Sequence, residues 1–225
     1  PPPVAGDVPL PEVTVTRAAE GSLQAEVSAA GSYRVKRADG QTRTFEVPAL
    51  PEPLEIRGPW QVSFPAGMDV PPRTDFERLM SWTEHPQPAI QYFSGTATYG
   101  RSLDLPADRL SESRSVLLDL GRVESLAEVV VNGRKLGALW KPPFVVDITA
   151  AARPGQNTLE IRVTNAWLNR LLGDKQYPQG FPDAGPLQFK PQLAADISNR
   201  LGTQPAPAGL LGPVRLLTTE RVRIP

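Results

Sequence analysis

Prolines stand between short apolar runs along this chain, and that spacing suits strands joined by loops. The sequence holds 26 prolines among 225 residues, about twice the usual share of about 5%. Each proline fixes φ and removes a backbone donor, so each tends to end an element or edge it. Proline and the 18 glycines together make about a fifth of the chain, below the roughly 25–30% that marks disorder. Hydrophobic residues supply 40%, enough to fill a core.

The runs between prolines carry strand periodicity. Thr158-Leu159-Glu160-Ile161-Arg162-Val163-Thr164 alternates strictly, which puts Leu159, Ile161 and Val163 on one face and the polar residues on the other. Val116 to Leu120 and Leu126 to Val131 are denser, as in central strands. Asn132-Gly133 supplies a tight turn, since both residues accept positive φ, and Arg134 to Trp140 returns as the partner strand. Further strands are expected at Trp60 to Phe64, Thr96 to Leu103, Phe144 to Ile148 and Val214 to Thr218. Helical signals are weak. Phe76 to Trp82 is expected to form one or two turns, and Asp147-Ile148-Thr149 a short capped turn before Pro154-Gly155. This pattern predicts an all-β fold, a sandwich or barrel rather than an α/β architecture.

The first fifty residues read differently. Val13 to Val15, Leu23 to Ser28, and a hairpin from Tyr33 to Val47 around Asp39-Gly40 are too few strands to bury much area alone. Residues 1–53 are therefore expected to be the tail of a preceding β domain plus the connector Val47-Pro48-Ala49-Leu50-Pro51-Glu52-Pro53. Residues 54–225 are expected to form the sandwich. A chain opening on Pro1, Pro2 and Pro3 reads as processed or excised.

Lys plus Arg and Asp plus Glu number 24 each. A zero formal charge removes the electrostatic case for nucleic acid or an anionic membrane as partner. No run approaches the roughly 18–20 apolar residues of a membrane span. Cysteine is absent, which excludes disulfides, thiolate nucleophiles and cysteine metal sites. His85 is the single histidine, so zinc chemistry and a histidine triad have little to build on; it is expected to face solvent.

Three groups of motifs carry a family resemblance. The first is Gly58-Pro59-Trp60-Gln61-Val62-Ser63-Phe64, with Leu79-Met80-Ser81-Trp82 and Tyr92-Phe93-Ser94-Gly95. The second is Leu118-Asp119-Leu120-Gly121, Val131-Asn132-Gly133, and Trp140-Lys141-Pro142-Pro143-Phe144. The third is Asn165-Ala166-Trp167-Leu168-Asn169-Arg170-Leu171-Leu172-Gly173-Asp174, closed by Gly209-Leu210-Leu211-Gly212-Pro213. In order and spacing, residues 54–220 resemble the C-terminal region of bacterial α-L-rhamnosidases. The first two groups are also similar to the sugar-binding jelly-roll of β-galactosidase and β-glucuronidase relatives. The resemblance implies a galactose-binding-like jelly-roll, a catalytic barrel elsewhere on the same polypeptide as partner, an oligosaccharide as possible ligand, and a periplasmic or extracellular location.

Candidate site residues have competing roles. Trp140 and Trp167 either offer sugar platforms or cap the core, and the high average burial of Trp favours the core. Trp60, at a strand start, belongs to the core. Asn169 and Arg170 lie with Asp174 in a polar cluster just after a strand and join the two Trp rings as candidate sugar-binding residues. Arg170 either bridges Asp174 or faces a ligand or a neighbouring domain. Asn132 serves the turn. Asp147 is a weak calcium candidate, more simply a cap before Thr149; no other cofactor is implied. Glu128, Glu160, Asp104 and Asp108 fall on outward positions or loops and suggest no catalytic pair of the kind glycoside hydrolysis needs. The favoured reading is a non-catalytic accessory domain of a larger glycoside hydrolase. The alternatives are a stand-alone carbohydrate-binding or adhesion module and, least favoured, an enzyme in its own right.

Overall fold

The structure is a computed structural model that describes residues 12–17, 21–36, 40–182 and 204–224. Its strands are β1 (Val13–Arg17), β2 (Leu23–Val27), β3 (Gly31–Lys36), β4 (Thr42–Val47), β5 (Leu54–Glu55), β6 (Trp60–Ser63), β7 (Arg73–Phe76), β8 (Thr96–Leu105), β9 (Arg114–Asp119), β10 (Arg122–Glu124), β11 (Leu126–Val131), β12 (Arg134–Leu139), β13 (Val145–Asp147), β14 (Gly155–Thr164), β15 (Gly209–Gly212) and β16 (Arg215–Ile224). Among the described residues two α-helices join them, α1 (Pro88–Gln91) and α2 (Leu168–Gln176). The first large sheet runs β1-β2-β16-β9-β13, with β5 also on β16. The second runs β12-β11-β14-β8-β6-β7. The pairs β3-β4 and β10-β15 complete the fold, a jelly-roll β-sandwich, as expected.

The core follows from strand periodicity. Leu159, Ile161 and Val163 of β14 are all but fully buried, with Tyr99 and Ala97 of β8 and Val129 of β11. They join Val116, Leu118 and Leu216 from the first sheet in one apolar cluster. Trp60 is fully buried there, as expected. Trp82 is also fully buried, and its Nε1 donates to the Tyr99 hydroxyl at 2.5 Å, which in turn accepts from the Leu210 amide at 3.1 Å. Gly209 makes this possible: a Cβ there would meet Trp82 Nε1 at 2.6 Å.

The Asn132-Gly133 turn forms with φ of +50° and +78°. The Asn132 side chain does more than shape the turn. Its Nδ2 donates to Ala151 O at 2.9 Å and Asn157 Oδ1 at 2.8 Å, and its Oδ1 accepts from Thr158 N at 2.9 Å.

Two helical expectations are corrected. Phe76 ends β7, and the short 3-10 turn begins only at Trp82. Conversely, Asn169, Arg170 and Asp174, read as a polar cluster after a strand, lie on the helix α2.

Residues 12–47 meet the rest of the chain at β16, where Leu23–Val27 runs antiparallel to residues 220–224. They keep a small cluster of their own, Ala25, Val27 and Val47 against Ile224. The β3-β4 hairpin pairs from Gly31↔Val47 to Lys36↔Thr42; Asp39 of its expected turn lies outside the described residues, as do Pro1 to Pro3.

The register of β14 is open to test. Ile161→Asp places an unpaired charge in the core and is expected to cost more than about 3 kcal/mol in urea unfolding. Arg162→Asp, on the outward face, should cost about 1 kcal/mol or less. Equal losses would contradict the assigned faces.

Candidate functional site

Trp140 and Trp167 leave the second sheet at the same end. Leu139 opposes Ala127, and Ala127 opposes Val163, so Trp140 follows the last residue of β12 where β14 also finishes. Neither ring caps the core. Trp140 is 69% exposed and Trp167 58%, against the burial that average Trp behaviour suggested. The Lys141 Nζ lies 5.3 Å from the Trp140 ring centroid. An exposed indole offers a flat apolar face with a polar edge, which suits the C–H face of a sugar ring.

Asn169 and Arg170 sit on α2 and are buried. Asn169 Nδ2 donates to Ala206 O, and its Oδ1 accepts from Ala206 N, both at 2.8 Å. Arg170 does bridge Asp174: its Nε donates to Asp174 Oδ1 at 2.7 Å, while an Nη donates to Asp69 Oδ2 at 2.7 Å. Its guanidinium also stands 5.3 Å from the Phe181 ring centroid. Asp174 is fully buried, and its Oδ2 has no hydrogen-bond partner. Burial pushes the Asp174 carboxyl up, with Arg170 opposing. These bonds tie α2 to the Asp69 loop and to the segment before β15. The fold thus brings the four candidates to neighbouring stretches of chain but separates two surface rings from two buried polar side chains.

The remaining candidates have local roles. Asp147 Oδ1 accepts from Thr149 N at 2.8 Å and from Thr149 Oγ1 at 2.5 Å, the capping arrangement. Among the described residues no group of three or more His, Asp or Glu is placed to hold a metal ion. His85 does not face solvent outright. Its ring stacks on Phe76 with centroids 5.4 Å apart, its Nδ1 accepts from Gln87 N at 3.1 Å, and burial lowers its pKa. Burial also raises the carboxyl of Asp119, which accepts from Gly121 N at 2.9 Å. A cleft of about 380 Å³ lies between β5, β6 and the β7 exit, floored by Ile56, Leu79 and Val214 and rimmed by Arg57, Glu77 and Arg78. Among the described residues no helix is long and apolar enough to cross a membrane.

Residues 82–201 match the glycosyl hydrolase 2 galactose-binding domain-like family, and the chain belongs to that family. The chain is 34% identical over 221 residues to a protein of Formosa agariphila named "Putative beta-glucuronidase", covering 92% of this chain and 19% of that protein. It superposes with a TM-score of 0.61 on a rhamnosidase from Novosphingobium sp. PP1Y, at 28% identity, covering 93% of this chain and 25% of that one. The chain therefore spans about a fifth to a quarter of the length of these relatives.

The two kinds of candidate differ in energetic consequence. Arg170→Ala leaves the buried Asp174 carboxylate and the half-buried Asp69 carboxylate uncompensated and is expected to cost about 3–5 kcal/mol. Trp140→Ala and Trp167→Ala should each cost about 1 kcal/mol or less. Thermal melts of the three variants check this, and a stable Arg170→Ala protein would refute the structural role given to the triad.

Proposed function

We propose that this chain is a non-catalytic accessory domain of a larger glycoside hydrolase. Its role is to pack beside a catalytic barrel on the same polypeptide and to hold part of a glycan. The observation that carries this reading is family membership combined with span. The chain matches a glycosyl hydrolase galactose-binding-like family, yet corresponds to only 19% and 25% of the two relatives.

The placement of carboxylates supports it. Glycoside hydrolysis ordinarily needs two carboxyl groups separated by about 5–9.5 Å. Two carboxylates on the outward face of the second sheet, Asp75 on β7 and Glu160 on β14, stand three strands apart, roughly 14 Å between backbones. Asp104, Asp108 and Glu128 are exposed.

For the parent enzyme we propose α-L-rhamnosidase-like activity, because the rhamnosidase superposition extends over 93% of the chain. A β-glucuronidase parent is the second reading, favoured by the 34% identity to the Formosa protein. A periplasmic or extracellular location accords with either. Within the domain, Trp140 and Trp167 are the proposed sugar platforms, with Asn169 and Arg170 holding α2 behind them.

The purified 225-residue chain is expected to release no more aryl alcohol than buffer from aryl α-L-rhamnosides or aryl β-glucuronides, at acid or neutral pH. Turnover that survives repurification and vanishes on changing one carboxylate would make it an enzyme. Calorimetric titration with rhamnose-containing oligosaccharides should give weak binding that Trp140→Ala reduces. Unchanged binding in that folded variant would dismiss the platform.

A further inference from the structure

Gly100 lies in the middle of β8, a ten-residue strand in the interior of the second sheet. Glycine there weakens a strand, and it commonly marks a place where a ligand or another backbone comes close. The fold itself does not ask for it. Its φ is not positive, and the nearest atom to an added Cβ would be Gln61 O at 3.9 Å, an ordinary contact. What the missing side chain does create is a groove. Gln61 and Glu160 oppose Gly100 from either side, and Asp75 opposes Gln61 in the next strand. The resulting depression has a volume of about 560 Å³ and is also lined by Ser102 and Thr158.

We infer that this sheet-face groove is a second binding site, and that it takes a neutral, hydroxyl-rich saccharide. The walls present one amide, two carboxylates and two hydroxyls around a bare stretch of backbone, with the small exposed ring of Pro59 at one edge. That set accepts and donates many hydrogen bonds but offers no aromatic or large aliphatic side chain turned outward, since Leu159 faces the core. A protein partner would want such an anchor; a sugar ring lying on the glycine backbone does not. The electrostatics select against acidic sugars. Arg101 also borders the groove, but its guanidinium turns away to the carbonyls of Arg57, at 2.6 Å, and Gly58 and packs over the Trp60 ring at 5.0 Å. Arg162 pairs with Glu160 at 3.2 Å. Asp75 has no ion-pair partner among the described residues, so the groove keeps a net negative wall. The site is distinct from the aromatic end, because Glu160 and Thr164 are separated along β14 by roughly 13 Å.

Amide chemical-shift mapping of the chain with galacto-, cello- and rhamno-oligosaccharides, and with oligogalacturonate as the charged probe, tests this. Shifts are expected at Gly100, Ser102 and the Gln61 side-chain amide with at least one neutral probe, and none with oligogalacturonate. Gly100→Val fills the groove floor. It should weaken that binding at least about tenfold, or about 1.4 kcal/mol, while the melting temperature stays the same or rises. The inference is overturned if no neutral probe moves these resonances, if oligogalacturonate binds equally well, or if folded Gly100→Val keeps its affinity. Shifts confined to Trp140 and Trp167 would overturn the groove and leave the aromatic platform standing.

Discussion

Ten consecutive antiparallel pairs between β8 and β14, from Thr96↔Thr164 to Leu105↔Gly155, decide which side chains of the second sheet face the core. Side chains alternate with period two, so a slip of one residue would turn Leu159, Ile161 and Val163 outward and bury Glu160 and Arg162. The apolar contacts with the first sheet hold only in the observed register. The same ladder places Gly100 beside Glu160 and leaves the outward face polar. It also carries β14 to Thr164, from which the chain proceeds to Trp167 and α2. Core, groove and aromatic end are thus three consequences of one pairing.

Much of the sandwich was legible because period two is a local signal. The runs at Thr158–Thr164, Leu126 to Val131 and Val116 to Leu120 each fell in a strand, and Asn132-Gly133 announced its turn by residue type alone. The helix α2 was not legible. It has nine residues, a glycine inside, and Trp167 at its N-cap with no side-chain cap bond, so propensity argues weakly for it. Tertiary packing supplies what propensity lacks. Gly173 lets the helix approach Tyr92 and Phe181, where a Cβ would meet them at 2.6 and 2.9 Å. Phe76 misled in the other direction, because the pairing of β7 with β6 from Trp60↔Phe76 onward depends on residues distant in sequence.

The candidate site was legible in part. The Arg170-to-Asp174 bridge is an i,i+4 pair that the sequence offered as one option, but Asp69, one hundred and one residues away, gives no sequence signal. Exposure of Trp140 and Trp167 was likewise hidden. Average burial describes the residue type, and only the way β12 and β14 end decides where these two rings go. The polar groove escaped because its residues are unremarkable one by one; Gln61, Asp75, Gly100 and Glu160 come from four strands and become a set only through register.

Taken together, these placements separate holding the fold from meeting a ligand. The charged groups around Arg170 are buried against Asp69 and Asp174, where removing one partner would strand the others. Such groups fix α2 in place and have little freedom left for recognition. The surface groups show the reverse balance. Trp140 and Gly100 can change with little consequence for the core, since one ring stands mostly in solvent and the other position has room for a Cβ. The two surfaces proposed on one sheet, exposed rings at its end and a trough across its face, would suit different parts of an extended sugar chain better than one compact ligand. On the proposed reading, a domain that makes up a quarter or less of the length of its relatives gains most from that arrangement when a longer glycan must be kept near chemistry performed elsewhere. Weak contacts at two points raise the effective concentration of the second once the first is made.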